Sequence, residues 1–137
     1  MVKTVFVVLL LAFYACKPQQ PASQDPSDNM KAQAREQLGA QASFHLNQTK
    51  SFLLCKSQTQ KKSAMSPGQV HFLVFDQANE ELLVDKTLEK GTVEWYSDQE
   101  LLIKTIPGVI KTGETEEDYT YILHVVTGKQ RKLNSQK

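Results

Sequence analysis

Between Val70 and Val126 the chain repeats one pattern: apolar runs of five to eight residues, separated by turn-forming residues mostly too few to carry a crossover. Residues 70–75 lead through Asp76 and Asn79 into 81–85, and Lys90 and Gly91 lead into 92–96. Ser97 and Asp98 make a tight connection to 100–106, where Pro107 and Gly108 interrupt the pattern. Residues 109–111 read as a short continuation before the polar, acidic stretch 113–118. Residues 119–126 are the clearest strand, and 129–133 read as a short last one. Upstream, 44–47 and 51–56 read as a first hairpin, and the polar stretch 58–68 as a loop. Parallel neighbours need crossovers of a dozen or more residues, so connections this short dictate antiparallel pairing. The expected fold is all-β: an antiparallel meander of about six to eight strands, curled into a small barrel or folded as a two-layer sheet. Trp95, Phe75, Leu101, Ile103, Tyr121 and Leu123 are the main core candidates, each worth roughly 1.5–3 kcal/mol when buried.

A short helix over residues 30–38 would make the fold α+β. Ser27 or Asp28 can cap its start and Gly39 can end it. Met30, Ala34 and Leu38 share one face, but the stripe is thin, so the helix is expected to pack weakly or to belong to the preceding linker. Residues 40–47 can be read as an extension of that helix instead of a strand.

The N-terminus has a different character. Lys3 precedes eleven uncharged, mostly apolar residues, Val5 to Ala15. As a helix at ~1.5 Å per residue these cover about half of a ~30 Å bilayer core, the length of a signal-peptide h-region rather than a span. Cleavage after Ala15 by an ordinary signal peptidase would place Phe13 where a small residue is wanted. The run Leu11-Ala12-Phe13-Tyr14-Ala15-Cys16 resembles a bacterial lipoprotein signal over about the first 16 residues. It departs from the usual motif at Phe13, where Leu is commonest, and at Tyr14, where a smaller residue is usual. The resemblance implies that Cys16 becomes the first residue and carries lipid. It also implies that Lys17, in a position where Asp favours inner-membrane retention in some bacteria, points to the outer membrane. The alternative is a secreted protein cut further on, for example after Ala22. Residues 17–29 contain three prolines and no large apolar side chain, so they cannot bury enough surface to offset ordering, and they read as a tether. Two or three acyl chains hold firmly where one is marginal. The organisation expected is therefore a signal peptide over 1–15, a tether over 16–29, a short helix or linker over 30–43, a β domain over 44–133 and a tail over 134–137.

Charge and motifs narrow the function. Lys plus Arg is 16 and Asp plus Glu is 15. Only Lys3 lies before Cys16, so a chain beginning there balances to zero, which argues against nucleic acid as a partner. His45, His71 and His124 have no metal-ligand spacing and read as residues on the solvent face of strands. If Cys16 is modified, Cys55 has no partner in the chain, and it reads as a buried, inert thiol. Glu114, Glu116, Glu117 and Asp118 lack the alternation of a calcium loop. Lys129, Arg131, Lys132 and Lys137 read as a solubilising end. Asn47-Gln48-Thr49 is a formal glycosylation sequon, without meaning in a bacterium. With no nucleotide-binding or hydrolase motif, no residue is assigned to catalysis, metal or cofactor. The reading is a non-enzymatic β domain, tethered to the cell membrane or outer membrane through Cys16 and facing the periplasm or exterior, that binds a protein or cell-envelope partner. The alternatives are a periplasmic inhibitor or small-ligand-binding lipoprotein, and an unrecognised hydrolase.

Overall fold

The computed structural model describes residues 26–59 and 68–133. The expected signal peptide, Cys16 and the tail lie outside the described residues. One helix, α1 (Pro26–Leu38), precedes eight strands: β1 (Ser43–Leu46), β2 (Phe52–Gln58), β3 (Val70–Asp76), β4 (Glu81–Leu88), β5 (Gly91–Ser97), β6 (Glu100–Thr105), β7 (Thr120–His124) and β8 (Gln130–Lys132). The strands form two four-stranded antiparallel sheets in simple meander order, β1–β2–β3–β4 and β5–β6–β7–β8. The fold is thus mostly β in two sheet layers, and neither sheet closes into a barrel.

The two sheets face one another across a common core. Phe52, Leu54, Val70, Phe72, Val74, Val84 and Leu88 of the first sheet meet Val93, Leu101, Ile103, Leu123 and Val125 of the second. The opposite face of the first sheet is also covered. There Leu53, Cys55, Leu73 and Phe75 pack against Met30, Ala34 and Leu38 of α1. Burial on both faces explains why β2 and β3 read as unbroken apolar runs, Phe52-Leu53-Leu54-Cys55 and Phe72-Leu73-Val74-Phe75, rather than as alternations. Trp95 and Tyr121 are half-buried at the edge of this core rather than at its centre, because Trp95 directs its indole N–H to the backbone carbonyl of His45, 3.0 Å away.

The helix departs from the sequence reading in two ways. It begins at Pro26, inside the stretch expected as tether, since a proline suits the first helical turn, where its missing N–H has no partner to lose. It also packs firmly. Its thin stripe suffices because Ala34 brings the helix backbone close to the sheet, leaving Ala34 fully buried and Met30 nearly so. Gly39, at φ +85°, ends it, its N–H reaching the Arg35 carbonyl.

Two irregularities shape the sandwich. Opposite Val74 and Phe75 the register of β4 shifts by one residue. This bulge turns both Leu83 and Val84 toward the inter-sheet core and leaves Leu82 facing the helix side. At the corner between the sheets, Gly91 has φ +151°, and a Cβ there would stand 2.1 Å from the backbone oxygen of Lys104. Only glycine lets β5 pair with β6 immediately after the corner. The Gly91→Ala protein is expected to lose about 2–4 kcal/mol of unfolding free energy in urea denaturation. Gly108→Ala, where no atom lies within 4 Å of the added carbon, should change it by less than about 0.5 kcal/mol.

Candidate functional site

Antiparallel order sorts the connections to two ends of the domain. The turns after β1, β3, β5 and β7 lie at one end, here the turn end. Asn47 ties two of them together, its Nδ2 donating to the carbonyl of Asp98 at 2.8 Å while its Oδ1 accepts the Phe52 N–H at 3.0 Å. The Val125 N–H adds a third by donating to the Gln99 carbonyl. The sequon asparagine is therefore a buried bracket between the sheets. The opposite, loop end collects the connections after β2, β4 and β6 and the last turn of α1. Leu38 and Gly39 line one cleft there with Val70 and Gly91. With 13 residues, α1 begins about 20 Å from that end.

The 106–119 connection is the longest between consecutive strands at the loop end. Pro107 has no N–H to donate to a ladder, so the short strand expected at 109–111 does not form. The segment runs free of the sheet and returns through a 3-10 turn, Glu116–Tyr119. Three branched apolar side chains are left in solvent: Ile106 is 49% exposed, Ile110 52% and Val109 80%. The sequence held a signal for this. An apolar run that follows Pro-Gly and ends at a glycine has no strand to pair with, so its side chains have no sheet face to enter.

The returning half of the loop is fixed by its own hydrogen bonds. Thr105 Oγ1 donates to the Tyr119 carbonyl at 2.9 Å, and Thr120 Oγ1 to the Glu116 carbonyl at 3.1 Å. The Thr115 N–H donates to the Asp118 carboxylate at 2.8 Å, and the Tyr119 hydroxyl donates to the carboxylate of Glu114. That bond to Glu114 raises the Tyr119 pKa, helped by desolvation and by the charges of Glu114 and Asp118, so the phenol stays a donor. Two carboxylates of the acidic stretch, Glu114 and Asp118, are thus engaged in local structure, while Glu116 stays exposed. Between this segment and the sheet lies a groove of about 450 Å³, walled by Ile106, Pro107, Ile110, Tyr119 and Leu133.

The second cleft, about 790 Å³, opens between the end of α1 and the edge of the second sheet. Among its described lining residues Lys56 alone is charged, and its Nζ donates to the Val93 carbonyl at 2.9 Å. Nearby, Ser57 stands opposite His71 in the ladder, and His71 Nε2 lies 2.7 Å from Asp85 Oδ1. This row places a serine, a histidine and an aspartate on adjacent strands. Among the described residues no hydrogen bond joins Ser57 Oγ to the ring, and Asp85 is half exposed to competing water. The other histidines lie elsewhere. His45 is on β1, its pKa lowered by partial burial and by the Lys56 charge, and His124 ends β7 in the other sheet. Among the described residues no three His, Cys, Asp or Glu side chains gather as metal ligands. Nor is any described helix long and apolar enough to cross a membrane. No protein-family model, curated protein or solved structure matches this chain.

Cys55 is free and fully buried beneath α1. Burial pushes its thiol from an ordinary 9.0 up to about 12, against a smaller opposing effect of the Lys31 charge. It is therefore inert at neutral pH. The unfolded chain loses this proton from about pH 9 while the folded chain keeps it, so stability falls as pH rises between about 9 and 12. The expected slope is at most about 1.4 kcal/mol per pH unit. Urea denaturation across that window should show a shallower alkaline loss for Cys55→Ala than for the wild type.

Proposed function

We propose that this chain is an exported lipoprotein, held through Cys16 in the cell membrane or outer membrane, whose β domain binds a protein partner of the cell envelope at its loop end. The observation that carries the binding site is the trio Ile106, Val109 and Ile110, exposed on a loop whose returning half, residues 114–119, is held by its own hydrogen bonds. Exposed apolar side chains promote association unless something covers them, and clusters of them mark interaction surfaces. A preordered loop loses little entropy on docking. Position supports the same reading. The chain enters α1 about 20 Å from the loop end, so a tether before Pro26 presents this surface away from the membrane. No catalytic residue is assigned: among the described residues Ser57, His71 and Asp85 stand in one row, but no hydrogen bond joins the serine to the ring.

A second reading, a small-ligand-binding lipoprotein, draws on the 790 Å³ cleft, whose volume lies in the range of ligand pockets. Its open, partly polar wall favours it less than the apolar loop favours a protein partner.

Two measurements test the proposal in a bacterium. The mature N-terminal peptide should carry a diacyl or triacyl mass on Cys16, and Cys16→Ala should release the protein from membranes. An unmodified N-terminus beyond Cys16 would make this a freely diffusing domain. A photo-crosslinker at Val109 should then capture one discrete envelope partner, whereas one at Asn79 on the turn end should not. The Ile106→Ser/Ile110→Ser double variant should lose that partner at least tenfold while its unfolding free energy changes by less than about 1 kcal/mol.

A further inference from the structure

The seam between the two sheets is stitched from the turn end and left open at the loop end. On this side each sheet ends in an edge strand, β1 and β5. Three side chains bridge the seam in order from the turn end. Asn47 Nδ2 donates to the Asp98 carbonyl, Trp95 Nε1 to the His45 carbonyl and Lys56 Nζ to the Val93 carbonyl. β1 starts at Ser43, opposite Lys56, so beyond Lys56 the first sheet is bounded by β2 itself. The 790 Å³ cleft opens in this gap, with Ser57, Gln58 and Thr59 lining one wall and Gly91, Thr92 and Val93 the other. The Thr59 N–H donates to the Gln69 carbonyl and the Ile106 N–H to the Lys90 carbonyl. Ladder alternation from those pairs turns the backbone groups of Gln58 away from β3 and those of Val93 away from β6, both toward the gap. Among the described residues no strand pairs with Gln58 or Val93 on that side.

Lys56 closes the inner end of the gap. Among the described lining residues it alone is charged, and among the described residues it forms no ion pair. Its ammonium has three donors, of which the Val93 carbonyl takes one.

We propose that this gap is a blind slot for the C-terminus of a partner polypeptide, which adds as a short strand between Gln58 and Val93 and sets its terminal carboxylate on Lys56. None of Ile106, Val109 and Ile110 is among the described lining residues, so the slot is separate from the exposed loop. A strand entering from the loop end cannot run past Lys56, which holds the backbone acceptor that a continuing strand would use. The added chain ends there, and its end carries the charge that the ammonium lacks. Such a strand runs antiparallel to β2 and parallel to β5. The free edge, Gly91 to Val93 at ~3.3 Å per residue, is about 10 Å long and takes about three residues. Leu38, Val70 and Val93 give the slot apolar surface for a side chain of the guest. Backbone pairing supplies the affinity and the terminal charge the selectivity. An internal segment has to displace Lys56 to pass, and a small carboxylate ion leaves both strand edges unpaired.

The test uses the processed full-length protein in nanodiscs of neutral phosphatidylcholine, with empty nanodiscs as the blank. Two N-terminally labelled peptides of alternating valine and threonine, one ending in a free acid and one in an amide, are titrated by fluorescence anisotropy. The wild type should bind the acid at least about tenfold more tightly than the amide. Lys56→Met should bring the acid down to the affinity of the amide. A second arm needs no protein variant. N-methylation of a backbone nitrogen among the last three residues of the acid peptide should weaken binding at least about tenfold, and N-methylation of the fifth residue from its end should not. Equal affinity of acid and amide, no binding of either, or an acid preference that survives in Lys56→Met overturns the proposal. So does an acid preference that every N-methylated peptide retains at full affinity, because a bare carboxylate site without strand pairing gives that result.

Discussion

The structure depends on the first sheet being buried on both faces. β3 is its central element: Phe72 and Val74 point into the space between the sheets, and Leu73 and Phe75 point under α1. A four-stranded sheet with one wet face is a small source of stability in a chain of this size. Covering its second face with a single helix adds a second apolar layer removed from water. The helix makes this possible only because its contact residues are Met30, Ala34 and Leu38, with the smallest in the middle. The unreactive thiol of Cys55 follows from the same arrangement, since it lies in the layer that α1 seals.

Among the described residues the second sheet has no such cover. Its inner face completes the shared core through Val93, Leu101, Ile103 and Leu123. Its outer side is met only in part by the 106–119 segment, which shields Thr120 and leaves Ile106, Val109 and Ile110 in solvent. The two sheets are joined by side chains rather than by a ladder. Asn47 brackets the turn end, Trp95 caps a β1 carbonyl, and Lys56 caps a β5 carbonyl. The last two occupy backbone acceptors on edge strands that would otherwise invite another strand. The asymmetry that results is one sheet covered by α1 and one partly open.

Much of this was legible from local chemistry. The hairpin at 44–56, the strand at 70–75 and the tight Ser97-Asp98 connection all appear close to where alternation and turn residues put them, because period and turn type are local properties. The candidate site was far less legible. Val109 and Ile110 look like strand residues by composition, and only the missing donor at Pro107 argues otherwise. The grouping of Tyr119 with Glu114 and of Asn47 with Asp98 follows from the paths of whole hairpins, which no short window of sequence contains.

By itself, then, the sequence determined the antiparallel meander, the all-β class with one helix, and part of the core, Phe75, Leu101, Ile103 and Leu123, whereas Trp95 and Tyr121 stand at its edge. Short connections and side-chain period leave little freedom in any of these. The tertiary structure decided that the meander breaks into two sheets at Gly91, where a glycine-only backbone turns the chain without continuing the ladder. It also decided that a thin helical stripe packs tightly and that an apolar loop stays uncovered. Those outcomes turn on which surfaces meet, and distant residues settle that together when the layers close.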